Sequence, residues 1–518
     1  MTQASIPDVE QFLATLLAIE RAWTMLDVAE GASGSPPIDD IEEAACLGAA
    51  SAHVLIRAGG LIAPADPDRA HRLLERAVAL DAPPAPAQLA LARSFRSCGD
   101  EAQASRWLRG AMLRARPDGA LLLELAAIER DHARAIVDAA QVFPCRDATT
   151  AAKAARALLE HGKRKEARIA GMIAFEAGAR DGDFLILYSD LLADHTLHDD
   201  PPLPPGPLGM PHWWHAATRA AQARLSRFYS AAPLIAQTRA REASDRWIGI
   251  DRLSHYLRDR IDAGLPFSWI RLGDGEARFL LHLHPELRTA LPDREAQAMA
   301  AQIWYAWFGQ DIGEVHPERI SALGARLDQA IRNADLLGVS SADRLTGDTA
   351  HYGFCAGLET HLAALLGDRP RPMFTDALAP LSLNEQDPFL GSLLRGLDFL
   401  GVISPHPDLA GRLQRQLNIG ASASYDLPGE SRLARAREAL NRGTHFPAVY
   451  DQLLANLTIP RPGAVFLVAG GLLGKIYCDQ IRVLGGIALD IGALADAWTG
   501  HNTRGPLLDA AVRRQLPA

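Results

Sequence analysis

Apolar residues in roughly the first 195 positions recur at helical spacing with hardly any β-branched alternation, and this stretch predicts an all-helical region. From about residue 246 the texture changes to short apolar runs separated by amphipathic segments. Strands are expected near Ser268–Leu272, Leu336–Ser340, Leu397–Ser404, Ala464–Ala469 and Gly486–Asp490, with helices between them. Alternation of this kind indicates an α/β domain with a largely parallel sheet, in which ligands bind outside the carboxyl ends of the strands.

The helical region contains a repeat. Ala70, Leu74, Ala77 and Pro83 recur as Ala104, Leu108, Ala111 and Pro117, an offset of 34 residues. A third unit, Ala155 to Gly182, aligns with Ala92 to Gly119, placing Gly162 where Gly99 stands, Ala167 where Ala104 stands and Ala174 where Ala111 stands. Small alanines let paired helices approach closely, and the glycines fit the turns. Residues 35 to 195 therefore resemble degenerate tetratricopeptide repeats, with plain antiparallel helical packing as the alternative. Between residues 195 and 211 six prolines remove amide donors, which marks a linker. A helix near His212–Thr238 follows, whose Trp213, Trp214, Phe228 and Tyr229 read as aromatics of a connecting helix or as a surface for a sugar. The expected domains are 1–194, helical; 195–245, linker and connecting helix; and 246–518, α/β.

At 518 residues the chain is too long for one core, which agrees with this division. A net charge of −9 argues against a general nucleic-acid binder. The five cysteines form no CxxC pair or zinc-spaced cluster. The first residues lack the pattern of a signal peptide, and the apolar run from Gly463 to Gly474 is too short to span a bilayer. These features predict a cytoplasmic protein without a membrane span.

Two segments carry candidate chemistry. In Arg271-Leu272-Gly273-Asp274-Gly275-Glu276, two carboxylates follow a strand one residue apart, with glycines permitting a tight turn. Such a pair suits a divalent cation, while the start of the next helix suits a phosphate. The alternative is that Asp274 or Glu276 simply caps the helix. The second segment runs from Ala464 through Gly470-Gly471-Leu472-Leu473-Gly474-Lys475 to Gly486-Ile487-Ala488-Leu489-Asp490-Ile491-Gly492, a strand, glycine-rich turn, helix and strand. It is not a Walker A loop, which would need glycine at Ala469 and a hydroxyl residue at Ile476, and it is only AxGxxG against the dinucleotide fingerprint. Weaker candidates are Asp343, Arg344, Glu359, His361, His406 as a base or a diphosphate contact, and a polar loop of Asn418, Ser422, Ser424, Tyr425 and Glu430 that could close over a donor.

The order RxGDGE, glycine-rich turn with lysine, then LGGIALDIG resembles the GT-D class of bacterial glycosyltransferases across residues 246 to 505. The turn here is richer in glycine than the GPxxK-like turn of that class, and Ala493-Leu494-Ala495-Asp496 replaces the His and Asp that often follow DIG. The resemblance implies an α/β Rossmann-like domain of GT-D type and a transfer from a nucleotide-sugar, a UDP-sugar above all, to an acceptor hydroxyl. It also implies that Asp274 and Glu276 hold Mn2+ or Mg2+ as metal ligands and catalytic groups, and that Arg271, Gly273, Gly275, Gly470, Gly471, Gly474, Lys475 and Asp490 bind the donor. A protein acceptor such as flagellin or an adhesin, or a glycan, is expected at the helical repeats, and a homo-oligomer is compatible with this reading. The other readings are a helical-repeat interaction protein with an inactive transferase domain and a Rossmann-type nucleotide-dependent enzyme.

Overall fold

A computed structural model describes residues 7–31, 38–80, 85–114, 128, 148–160, 162–193, 210–288, 290–367, 372–431 and 443–516. The chain divides into two compact units, Met1–Asp200 and Pro201–Ala518. Most of the proline-rich stretch, residues 194–209, and the repeat prolines Pro83 and Pro117 lie outside the described residues.

The first unit consists of helical repeats. Ala70, Leu74 and Ala77 are buried in the Pro67–Leu80 helix, and Ala104 and Leu108 are buried at the matching places of Glu101–Arg114. Ala92 and Ala155 are buried likewise, as are Ala167 and Ala174. Gly99 (φ 81°) and Gly162 (φ 73°) occupy the turns of two helix pairs, Ala85–Ser97 with Glu101–Arg114 and Ala148–Glu160 with Arg164–Glu176. Their backbones bond alike: Asp100 N–H donates to Phe95 O at 3.0 Å and Lys163 N–H to Leu158 O at 2.9 Å, the wrapped helix end that a left-handed residue permits. The equivalence inferred from the 63-residue offset is thus an equivalence of backbone geometry.

The second unit is built on seven parallel strands: β1 (Phe267–Arg271), β2 (Leu336–Val339), β3 (Met373–Asp376), β4 (Phe399–Ser404), β5 (Ala421–Asp426), β6 (Val465–Val468) and β7 (Ile487–Asp490). Their order is β3-β2-β1-β7-β6-β4-β5. Both faces are covered, as parallel sheets require. Phe466 and Val468 of β6 join a core with the helices Asp274–Leu283, Asp293–Phe308, Pro317–Asn333, Tyr352–Leu366 and Gly471–Val483. Val465 and Leu467 face a second core with Ile250–Ala263, Leu409–Leu417 and Leu494–Trp498. Steps from β1 to β2, β2 to β3 and β6 to β7 advance in one direction and run over the first face. Steps from β3 to β4 and β4 to β5 advance in the other direction and run over the second. Opposite faces for opposite directions give these five crossovers one hand. The chain therefore leaves β1 and β7, which are neighbours, toward opposite faces, and a crevice opens between their exits.

Five of the seven strands coincide with the runs expected from sequence. The two missed are the edges, β3 and β5. Both segments carry less apolar character than the interior strands, and Ala421–Asp426, expected to be a polar loop, is an edge strand paired in register with β4 from Phe399↔Ala421 to Ser404↔Asp426.

The aromatic helix His212–Phe228 packs within this second unit: Trp214 meets Tyr305 edge to face, and Tyr229, just past its end, donates its hydroxyl to Leu287 O at 2.6 Å. Its contact with Tyr352–Leu366 depends on Gly353, where a Cβ would stand 2.8–2.9 Å from Leu225 Cβ, Ser226 N and Gln222 O. Gly353→Ala is accordingly expected to destabilise the protein by about 1–3 kcal/mol, the usual cost of overpacking. Gly347→Ala, which meets nothing within 4 Å, should stay within about 0.5 kcal/mol of the parent in the same urea titration.

Candidate functional site

A cavity of about 630 Å³ lies at the carboxyl ends of the strands. Eight of the ten residues expected at the site line it: Arg271, Gly273, Asp274, Gly275, Glu276, Gly470, Gly471 and Lys475. Gly474 and Asp490 lie beneath. Gly474 brings its helix against the sheet, with Val468 Cγ1 3.3 Å from where its Cβ would be, and Asp490 is buried at the end of β7.

The RLGDGE segment makes the turn and helix start that its glycines permit. Glu276 reaches back to accept from Gly273 N–H at 2.9 Å, so the capping alternative is realised at this residue. Gly275 lets Trp307 lie close, since a Cβ there would be 2.7 Å from the indole. Asp274, the first residue of the helix, is half-buried and paired with Arg278 one turn on. Burial pushes its carboxyl upward, but Arg278, His351 and Arg344 outweigh that and hold it below the usual carboxylate range.

Lys475, expected to meet phosphate, is instead buried in an ion cluster. Its ammonium lies 2.8 Å from Asp490 Oδ2 and 3.3 Å from Glu276 Oε1. Burial alone would lower the lysine, but Asp490 and Glu276 hold it above its ordinary range. Asp490 is likewise pushed up by burial and brought below its ordinary range by Lys475 and Arg271. Asp490 Oδ2 also accepts from the Arg271 backbone N–H at 3.1 Å, and the Arg271 side chain donates to Ala377 O at 3.0 Å. The last glycine of the LDIG run is explained here. Gly492 has φ 48°, and a Cβ on it would fall 1.7 Å from an Arg271 guanidinium nitrogen. Arg271 passes through the space that the missing side chain leaves.

The remaining lining came from places that a motif does not mark. Gln302, Trp307 and Phe308 come from one helix, Asp348 and His351 from the turn before another, Asp496 from the short helix Leu494–Trp498, and Glu430 and Arg504 from loops. Asp348 Oδ1 lies 3.0 Å from His351 Nδ1 and orients the ring. His445 also lines the cavity, but complete burial pushes it down to about 3, so it is neutral and faces the Tyr477 hydroxyl at 2.8 Å. Arg278 was not among the expected residues, although its place four residues after Asp274 on a helix could have marked it as that carboxylate's partner.

Of the weaker candidates, Arg344 and Glu430 line the cavity, and Asp343 does not. His406 is buried beside it, 2.8 Å from Asp496. Glu359 and His361 are directed elsewhere, to Arg241 and Asp328.

No family model matches the chain. No curated protein matches it either. Among solved structures, YrrB, described as a TPR protein with an unusual peptide-binding site, is 14% identical with a TM-score of 0.25, covering 37% of this chain and 96% of its own. The structure from the functional characterization of Pseudomonas aeruginosa pilF is 15% identical with a TM-score of 0.29, covering 42% of this chain and 94% of its own. No helix among the described residues is long and apolar enough to cross a membrane.

The buried cluster makes a direct prediction. Lys475→Met leaves Asp490 and Glu276 short of a counter-charge and should cost about 3–5 kcal/mol in urea unfolding at pH 7. That penalty should shrink on acidification, because a protonated Asp490 needs no cation. In the parent, the Asp490 contribution is complete above the ordinary value of 3.8 and is lost as pH falls through its lower folded value. The Lys475 contribution is complete below 10.5 and is lost only as pH rises through its higher folded value.

Proposed function

We propose that the second unit is a metal-assisted glycosyltransferase that moves a sugar from a nucleotide-sugar, a UDP-sugar in the first instance, to an acceptor hydroxyl. The observation that carries this reading is the lining of one cavity by Arg271, Arg278, Arg344 and Arg504 together with the half-buried Asp274 carboxylate. Guanidinium groups recognise diphosphates, and the buried Nε–H groups of Arg271 and Arg278 have no hydrogen-bond partner within the protein. The volume suits a small-molecule ligand, and the Trp307 indole offers a face for a base or sugar.

The donor set is compatible with Mg2+ or Mn2+. Asp274 engages Arg278 through Oδ2, and Glu276 engages Gly273 N–H and Lys475. A carboxylate has about four acceptor positions, so both retain capacity. Such ions are commonly held by one or two carboxylates with substrate phosphates completing the shell. Asp274 is the ligand in this reading, with Glu276 behind it, and a bound ion would offset charge on the departing diphosphate. The arginines supply further compensation to the same group, and His351, oriented by Asp348, is the base for the acceptor hydroxyl. The helical repeats are assigned to a protein or glycan acceptor, since stacked helix pairs present extended surfaces.

One observation favours the second reading, a helical-repeat interaction protein whose α/β unit is inactive: both expected metal ligands already have cationic partners. Calorimetric titration of UDP and UDP-sugars with and without Mn2+ decides between them. An active site predicts binding strengthened by Mn2+, loss of that increment in Asp274→Ala, and weakening of about 10-fold or more in Arg344→Ala, the worth of a charge-assisted hydrogen bond. Absence of nucleotide diphosphate binding, or equal affinity in both variants, would sink the transferase reading.

A further inference from the structure

We infer that His284, Asp328 and His361 form a second cation site, separate from the cavity, that takes a zinc-class divalent ion. The three residues come from three helices. His284 caps the carboxyl end of Asp274–Leu283, Asp328 lies in Pro317–Asn333, and His361 lies in Tyr352–Leu366. Ten residues of helix at 1.5 Å each place His284 about 15 Å from Asp274, so the two sites share a helix at opposite ends.

One ligand atom from each residue lies within 4.8 Å of the others. His284 Nε2 is 3.2 Å from Asp328 Oδ2, and His361 Nε2 is 2.8 Å from Asp328 Oδ1. The two rings lie 4.4 Å apart, tilted by 37°. Zinc bonds of about 2.0–2.2 Å place neighbouring ligand atoms about 3.3–3.6 Å apart, so side-chain movements of about 1 Å assemble the set. Two imidazoles and one carboxylate are ligands of the zinc class, and the remaining position is left to water.

A second observation singles this cluster out. His284 directs both ring nitrogens at carboxylate oxygens, Nδ1 at Glu286 Oε1 at 3.1 Å and Nε2 at Asp328 Oδ2. A neutral imidazole has one N–H, so two such contacts require a positive partner at the second nitrogen, a proton or a metal ion. In the proposed site that partner is the cation at Nε2. Nδ1–H then donates to Glu286, which is the carboxylate–histidine–metal arrangement that orients ligating histidines. Asp328 and His361 are buried, whereas His284 and Glu286 reach solvent, so the ion has an entry path.

The test uses the untagged full chain in an Asp274→Ala background, so that a cation in the cavity is not counted. The protein is stripped with chelator and titrated with Zn2+ against a competing indicator, then with Co2+ monitored by visible absorption. The expected result is one equivalent of zinc and a cobalt spectrum of low-coordinate, imidazole-bound type. Glu286→Gln should bind about 10-fold more weakly, and His284→Gln and His361→Ala more weakly still. His284 lies at the rim of the cluster, so His284→Gln gives a readout even where His361→Ala unfolds, and circular dichroism separates the two cases. Uptake of no zinc by the folded, stripped chain, or unchanged affinity in His284→Gln, overturns the assignment.

Discussion

Where β1, β6 and β7 end, two cations and two carboxylates are locked together inside the protein. Lys475 and Arg271 meet Asp490, and Lys475 also meets Glu276. Removing such charges from water is costly, and the cost is offset only when each is paired and hydrogen-bonded. That requirement fixes geometry as well as charge. Asp490 must lie at the end of β7, Arg271 must cross above it, and Glu276 must fold back onto its own helix start. The three central loops of the sheet are therefore set as one object.

The cavity inherits its character from this arrangement. Around the quartet, whose Arg271 also lines the cavity, Arg278, Arg344 and Arg504 share the lining with Asp274, Asp348, Glu430 and Asp496. Asp274 remains a carboxylate in a half-buried place because Arg278, His351 and Arg344 surround it. The glycines follow from the same geometry. Gly492 leaves space for a guanidinium and Gly275 for an indole, and a methyl group at either place would displace a group of the site.

Much of this was legible from sequence, for identifiable reasons. Interior strands such as Val465–Val468 are buried on both faces and read as continuous apolar runs. Edge strands have a hydrogen-bonded neighbour on one side only, and β5, with the sequence Ala-Ser-Ala-Ser-Tyr-Asp, has no apolar run to detect. Gly99 and Gly162 could be aligned because one backbone turn imposes one residue type. Loops leaving the strands carried most of the expected lining, because a parallel sheet gathers them at one end. The direction of a side chain within that gathering was not legible. Lys475 follows a glycine-rich turn and suggests an anion ligand, yet its partners are acids 15 residues ahead and 199 residues behind in the chain. The meeting of His284, Asp328 and His361 was hidden for the same reason, since it depends on how three helices cross.

The position of β7 has a consequence for synthesis. It fills the middle of the sheet, pairing with β1 at Phe267↔Ile487 and with β6 at Val465↔Ile487, and is made after the other six strands of that sheet. Until residue 490 has left the ribosome, the halves β3-β2-β1 and β6-β4-β5 have no strand between them, and each presents an unpaired edge. Closing so long a loop is slow compared with local helix pairing. The helical hairpins of the first unit rest on contacts between neighbouring helices and can complete themselves as they emerge, while the cavity comes into being only after β7 has been made.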